Sequence, residues 1–217
     1  MFVKICGITN EEDALLAVAL GADAVGFVFA PSPRQIAARV AFDITRRLPP
    51  EVLTVGVFRD DLPERVIDVC DRAGVKAAQL HGHESPEVTQ QVRRSVGYVI
   101  KGFVAGESAL ARADEHGADV LLVDSPTPGA GQMFDWTLID GVPQDARLLL
   151  AGGLTPDNVA TAIARVKPWG VDVSTGVERE PGRKDATRMR TFIVNARQAS
   201  PRAWLGPDEL PYDWADE

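Results

Sequence analysis

Eight short apolar runs, rich in Val, Ile, Leu and Phe, recur along this chain of 217 residues. Each is bounded by Gly, Pro, Asp or Ser, and in chain order they read FVKIC, ADAVGFVF, VLTVGVF, KAAQL, GYVIKGF, ADVLLVD, RLLLAGG and WGVDVST. Uninterrupted apolar runs of this length are typical of parallel strands that are buried on both faces. The runs therefore predict eight strands of a parallel sheet.

Helical patterns lie between these runs. They cover Glu11 to Leu20, Arg39 to Leu48, Leu62 to Ala73, Ser85 to Arg94, Gly106 to His116, Asp135 to Ile139, Thr155 to Val166 and Lys184 to Arg197. Regular alternation of strands and helices implies a parallel sheet with right-handed crossovers. Eight such units in about 200 residues favour an α/β fold with one domain, a single (β/α)8 TIM barrel over residues 1–199. An open doubly wound sheet is the alternative.

Composition and charge exclude several classes of partner and cofactor. The net charge is −8 and no Lys/Arg run occurs, so we expect no nucleic-acid partner. No apolar stretch is long enough to cross a membrane, and two cysteines form no disulfide framework, which favours a cytoplasmic, reducing compartment. The sequence has no dinucleotide or Walker fingerprint, and His81 and His83 have no further ligands at metal-binding spacing. We therefore expect no cofactor and no metal.

The last segment, residues 200–217, differs from the rest of the chain. It is acidic and rich in proline, and it contains Trp204, Tyr212 and Trp214. Disordered segments are usually poor in aromatic residues, so the segment could pack on the outside of the barrel or contact a partner. A loosely held terminus explains it equally well. We predict a short C-terminal extension and leave its role open, as we do the choice between monomer and homodimer.

Polar side chains follow several of the predicted strands. In a barrel of this kind the active site lies at the carboxyl ends of the strands, and the loops after strands seven and eight commonly bind phosphate. Glycine allows the backbone of such loops to approach an anion, whose charge the amides can bind. We therefore expect a small phosphorylated ligand. The candidates at this rim are Cys6, Arg34, His81, Asp124, Gly152, Gly153, Asp172, Ser174, Thr175 and Gly176.

Two of these candidates are suited to moving protons. Cys6 as a thiolate and Asp124 as a carboxyl group could take up and release protons across the barrel mouth. Each also has a structural explanation, because cysteine is often a small core residue and aspartate often caps turns. Cys70 shares a helix face with Val66 and Ile67, and we expect it to be structural.

Several motifs together resemble one family. KICGIT, GADAVGFVF followed by SPR, VGVF, QLHG, VDS, FDW, LAGGL followed by PDNV, and DVSTGVE followed by PGRKD are similar to motifs of phosphoribosylanthranilate isomerase in its stand-alone form. The resemblance runs from residue 2 to about 197. It implies a (β/α)8 fold and an Amadori rearrangement of N-(5′-phosphoribosyl)anthranilate to 1-(2-carboxyphenylamino)-1-deoxyribulose 5-phosphate in tryptophan biosynthesis, without cofactor or metal.

The resemblance also implies roles for the candidate residues. Asp124 matches the acid that protonates the furanose ring oxygen, and Cys6 matches the base that removes the C2′ proton as a thiolate. Arg34 matches the arginine that faces the anthranilate carboxylate, while Asp172 and His81 match residues on the sugar side. The phosphate loops of the family match Gly152, Gly153, Ser174, Thr175 and Gly176.

Some features depart from the family pattern, and two alternatives remain. The loop SPTPGAGQMFDW has extra prolines, and STGVE replaces a more usual double serine. We expect Gly7 to leave room for substrate beside the thiol. One alternative is a barrel isomerase of the histidine pathway, although such enzymes use a carboxylate where Cys6 stands and bind two phosphates. The other is a phosphate-binding protein without activity, which the Cys6 and Asp124 pair disfavours.

Overall fold

The computed structural model describes residues 1–125, 135–139, 142–143 and 146–200. Eight parallel strands close a barrel in chain order. They are β1 Phe2–Ile5, β2 Ala24–Val28, β3 Leu53–Phe58, β4 Ala77–Leu80, β5 Tyr98–Val104, β6 Val120–Asp124, β7 Leu148–Leu150 and β8 Gly170–Val173. Because β1 pairs with both β2 and β8, the sheet has no edge, and the predicted (β/α)8 barrel is confirmed against the open sheet.

Helices surround the barrel at the predicted places. They are α1 Glu11–Ala19, α2 Ala38–Thr45, α3 Pro63–Ala73, α4 Pro86–Arg93, α5 Val159–Val166 and α6 Ala186–Ala199. Three 3-10 segments, Ser108–His116, Trp136–Ile139 and Thr175–Val177, complete the helical elements described. The Ser85 hydroxyl accepts a hydrogen bond from the Val88 amide, as expected of a helix cap. Within the described part of the chain, no helix is long and apolar enough to span a membrane.

Two helices differ from their predictions. Gly106 has a φ of 80°, which a right-handed helix does not allow, and the segment that follows is a 3-10 helix. Its buried residues, Leu110, Ala113 and His116, are three apart, which is the spacing of a 3-10 turn, and a kink at Arg112 (φ −123°, ψ 27°) divides the segment in two. The α5 helix begins four residues later than predicted. Residues 156–158 before it form a turn, in which the Asn158 side chain accepts from the Thr155 amide and donates to the Gly153 carbonyl.

The strands divide their side chains between two cores. Successive residues of a strand point to opposite faces, so Val3 and Ile5 pack outward against the helices while Lys4 and Cys6 point into the barrel. The interior is mostly apolar and includes Val55, Ile100, Leu122 and Leu149. Phe2 and Trp169 stack at 4.4 Å. Lys4 is therefore a charged side chain inside a barrel whose interior is mostly apolar.

An antiparallel hairpin follows β8 and reaches back to the start of the chain. Its strands are β9 Glu178–Glu180 and β10 Arg183–Lys184. The Thr9 hydroxyl donates to the Gly182 carbonyl over 2.5 Å, and the Asp13 carboxylate accepts from the Lys184 amide over 3.0 Å. The loops after β1 and β8 are thereby fixed to each other. The predicted extension after Ser200 lies outside the described residues, so that domain boundary stays a prediction.

Candidate active site

Cys6 lies at the carboxyl end of β1, inside the barrel mouth. Its amide donates to the Val173 carbonyl over 2.8 Å, and 7% of the residue is exposed. Burial raises the pKa of its thiol above the ordinary value of 9.0; Lys4 opposes the rise, Asp172 adds to it, and Lys184 also opposes it. In the unliganded protein at neutral pH the sulfur is therefore a thiol, and a reaction that uses the thiolate must form it.

Lys4 and Asp172 form an ion pair directly below this thiol. The two residues face each other in the β1–β8 register, and Lys4 Nζ lies 3.0 Å from Asp172 Oδ1. Burial would lower the pKa of Lys4, but the Asp172 carboxylate and the Cys6 sulfur outweigh this effect and raise it, so Lys4 is an ammonium ion. Asp172, predicted to line the sugar side of the site, is thus anchored by a lysine that sequence reasoning did not identify.

Gly26 on the neighbouring strand β2 makes room for both groups. A Cβ atom at this position would lie 2.9 Å from the Cys6 sulfur and 3.1 Å from Lys4 Nζ, both too short for a carbon contact. The sulfur and the ammonium group therefore converge on the same point above β2.

Asp124 stands across the mouth, at the end of β6, and contacts His81. The His81 Nε2 atom lies 3.2 Å from Asp124 Oδ2, while Asp124 Oδ1 accepts from the Ser125 amide over 2.7 Å. The Gln79 amide nitrogen lies 2.9 Å from His81 Nδ1. Since that nitrogen can only donate, the network assigns the imidazole proton to Nε2, which donates to Asp124. Gln79 Oε1 is buried without a hydrogen-bond partner among the described residues.

Arg34 is held rigidly in the loop after β2. Its Nε and Nη2 atoms donate to the two carboxylate oxygens of Glu178 over 2.8 and 2.7 Å, and Nη2 also donates to Thr175 Oγ1 over 3.2 Å. Lys184 Nζ donates to the same carboxylate over 3.0 Å. Burial would raise the pKa of Glu178, but Arg34 and Lys184 lower it, so Glu178 is ionised. These described bonds use Nε and Nη2, and none of them uses Nη1.

The space beside Gly7 is not the substrate pocket that we expected. A Cβ atom on Gly7 would lie 2.6 Å from Arg34 Cδ and 2.8 Å from Ser174 Oγ. The glycine therefore admits the stem of Arg34 and the Ser174 hydroxyl.

The loops after β7 and β8 contain the predicted phosphate-binding residues. Gly152 and Gly153 have φ values of 85° and 64°, and within the described residues no backbone carbonyl accepts from their amides. Gly176 comes so close to the Leu154 carbonyl oxygen that a Cβ atom would lie 1.9 Å from it. Ser174 Oγ is buried without a partner in the described part of the chain, whereas the Thr175 hydroxyl is bonded to Arg34. The two loops are thus built closely together.

The structure groups the predicted residues into two sides. Cys6, Asp172, Ser174 and Arg34 lie around β8, β1 and β2, and His81 with Asp124 lies around β4 and β6. Sequence reasoning missed the residues that hold them, which are Lys4, Gln79, Asn158, Glu178 and Lys184. Only Lys4 had a readable signal, because it is two residues from Cys6 and so shares its face of the strand. The proline-rich loop at 126–134 is outside the described residues.

The fold and the site define a (β/α)8-barrel enzyme. Cys6 and Asp124, which can exchange protons, lie at the carboxyl ends of its strands, next to the loops after β7 and β8. The family model described as N-(5′-phosphoribosyl)anthranilate (PRA) isomerase matches residues 3–195. The chain belongs to this family.

Named relatives agree over most of the chain. An N-(5′-phosphoribosyl)anthranilate isomerase from Desulforudis audaxviator is 50% identical over 204 residues, covering 91% of this chain and 98% of the relative. The phosphoribosylanthranilate isomerase from Thermus thermophilus has a TM-score of 0.86 at 42% identity, covering 91% and 99% of the two chains. A further solved isomerase, in complex with reduced 1-(o-carboxyphenylamino)-1-deoxyribulose 5-phosphate, has a TM-score of 0.81 at 42% identity and the same coverage.

Proposed function

We propose that this protein converts N-(5′-phosphoribosyl)anthranilate to 1-(2-carboxyphenylamino)-1-deoxyribulose 5-phosphate, an Amadori rearrangement in tryptophan biosynthesis. The observation that carries the proposal is the position of Cys6 and Asp124, which open onto one barrel mouth from strands three places apart. A substrate between them has a base on one side and an acid on the other, which two successive proton transfers require.

The two ends of the substrate carry charges that the site can bind. We assign the phosphate to the amides of Gly152, Gly153 and Gly176 and to the Ser174 hydroxyl, which has no partner among the described residues. We assign the carboxylate to Nη1 of Arg34. A relative binds a ligand whose name includes both a carboxyphenyl and a phosphate group. Holding both ends orients the reacting carbons between them.

Asp124 performs the first proton transfer in this mechanism. It donates a proton to the furanose ring oxygen, the C1′–O bond breaks, and the nitrogen lone pair forms the C1′=N bond of a protonated Schiff base. The His81 Nε2–H bond to Asp124 stabilises the carboxylate that remains.

Cys6 performs the second proton transfer. As a thiolate it takes the proton from C2′, the C–H electron pair forms the C1′=C2′ bond, and the C=N electrons return to nitrogen. The enolamine then takes a proton at C1′ from the Cys6 thiol and gives the one on its C2′ hydroxyl to the Asp124 carboxylate, which forms the ketone and restores both side chains. The C2′ proton is acidic only after the Schiff base has formed, so the base acts second. Side chains make both transfers, so the mechanism requires neither metal nor cofactor.

The test follows the loss of fluorescence of freshly prepared N-(5′-phosphoribosyl)anthranilate. We expect turnover by the wild type and by Cys70→Ala, and losses of at least roughly 10²-fold in Cys6→Ala and Asp124→Asn, the usual scale of acid–base catalysis. Cys70 is the matched control, because it is the other buried cysteine. If the wild type does not turn over this compound, the proposed substrate is wrong. Turnover of the histidine-pathway aminoaldose is measured in parallel to test that alternative substrate. Full activity in Cys6→Ala would overturn the role of the thiol.

We also propose a cytoplasmic location. Cys6 and Cys70 are both free, and a thiol that must ionise to act is preserved where cellular reductants keep thiols reduced.

A further inference from the structure

We propose that Lys4 is a positioning residue for the reaction, whose ammonium group provides the counter-charge for the Cys6 thiolate and is shared between that sulfur and Asp172. This inference rests on the proposed function of Cys6 as the base. Lys4 lies below the sulfur and is not placed to touch the substrate, so it would act through Cys6.

A purely structural role explains Lys4 poorly. Its side chain is 0% exposed, in a barrel interior that is otherwise filled with residues such as Ile100 and Leu122. Removing an ammonium and a carboxylate from water costs several kcal/mol per ion, and well-packed apolar residues often replace such a pair without loss of stability. The Lys4–Asp172 pair therefore lies where stability alone does not require it. It lies beside a thiol that has to ionise.

The other charged groups that face Cys6 are already engaged. They are Asp172 on β8, Lys184 on β10 and Arg34 in the loop after β2, while Gly26 faces it from β2. Arg34 and Lys184 both donate to the Glu178 carboxylate. Lys4 Nζ and the Cys6 sulfur both approach the same point above Gly26.

The charge count predicts opposite effects for the two members of the pair. While Cys6 is a neutral thiol, the charges of Lys4 and Asp172 cancel. Once the thiolate forms, the single positive charge of Lys4 faces the two negative charges of Asp172 and Cys6. Lys4 therefore lowers the pKa of Cys6 and Asp172 raises it. Removing Lys4 should make the thiolate harder to form, and neutralising Asp172 should make it easier. A residue that only supported packing would not give shifts of opposite sign.

The experiment titrates the ultraviolet absorbance of the thiolate in Lys4→Met and Asp172→Asn, without substrate. Cys6→Ala is the blank, and burial raises the pKa of the only other thiol, Cys70, to about 12, so it contributes little. Lys101→Met is the matched control, because it also removes a buried lysine and leaves a buried carboxylate, Glu84, without its partner. Circular dichroism establishes that each variant is folded.

We expect the thiolate fraction at a given pH to fall at least about 10-fold in Lys4→Met and to rise in Asp172→Asn, the scale of one contacting charge. Lys101→Met should titrate as the wild type. An unshifted midpoint in folded Lys4→Met would overturn the proposal. If Lys4→Met does not fold, an unchanged or raised midpoint in Asp172→Asn would overturn it. The titration needs no turnover, so failure of the proposed isomerase activity would show separately in the fluorescence assay.

Discussion

Replacing Glu178 by Gln should destabilise the protein strongly, because one carboxylate serves two buried cations. Glu178 pairs with Arg34 at 2.7 Å and Lys184 at 3.0 Å, and the three side chains are 4%, 12% and 0% exposed. Removing one partner of a buried ion pair costs about 3–5 kcal/mol. Gln retains one neutral acceptor, worth about 1 kcal/mol. We therefore expect the free energy of unfolding to fall by about 2–4 kcal/mol.

The assay is urea unfolding of Glu178→Gln against Glu11→Gln. Glu11 also accepts two bonds from an arginine, Arg47, over 2.7 and 2.9 Å, but those side chains are 38% and 53% exposed. Exposed pairs contribute about 0–1 kcal/mol, so this control should change little. With a denaturant slope of about 2 kcal/mol/M, the urea midpoint of Glu178→Gln should fall by about 1–2 M. Equal, small losses in both variants would refute the argument from burial.

Acid adds a second test of the same carboxylate. In the folded protein the pKa of Glu178 lies below its ordinary value of 4.5, so the carboxylate takes up a proton when the protein unfolds in acid. The contribution of Glu178 is complete above the ordinary value and is lost as the pH falls through the lowered folded pKa. Glu178→Gln should lack this part of the acid destabilisation.

Since Arg34 also loses its anchor in Glu178→Gln, KM should rise more than kcat falls. An unchanged KM would show that Glu178 does not position Arg34.

Three further predictions concern the loops and the thiol. Asn158→Ala removes the bonds to Thr155 and Gly153. If this loop binds phosphate, the substitution should raise KM several-fold with little change in kcat. Inhibition by inorganic phosphate measures binding at the same site. Gly176→Ala places a methyl group 1.9 Å from the Leu154 carbonyl and should lower both phosphate affinity and thermal stability. Because the pKa of Cys6 is raised, kcat/KM should rise with pH from neutral toward pH 9 in a stopped-assay profile, and a flat profile would contradict the thiolate base.

The architecture could be predicted from the sequence because its signals are local. Apolar runs between turn residues mark the strands, and alternation with helical patterns fixes their parallel order. The same logic places Cys6 and Asp124 at strand ends. Even the errors lie in local features: the buried residues after Gly106 are three positions apart, and the residues just before α5 form a turn whose Asn158 side chain bonds to Thr155 and Gly153.

The contacts that hold the site could not be predicted in this way. Glu178 and Arg34 are 144 residues apart and meet only because the hairpin after β8 folds toward the loop after β2. Lys4 and Asp172 are 168 residues apart and meet because the barrel closes between β1 and β8. Neither pair leaves a pattern within one segment. The predicted ligand contacts of Cys6, Asp124, Arg34, His81, Asp172 and the phosphate loops stay predictions.

The central claim is that Asp124 and Cys6 perform separate proton transfers. The most direct measurement is the kinetic isotope effect on kcat/KM with substrate deuterated at C2′, in the wild type, Asp124→Asn and Cys6→Ser. Slow ring opening in Asp124→Asn should suppress the isotope effect toward unity, while a weaker base in Cys6→Ser should enlarge it, because breaking the C2′–H bond then limits the rate. Equal isotope effects in the two variants would contradict the assignment of the two steps to two residues.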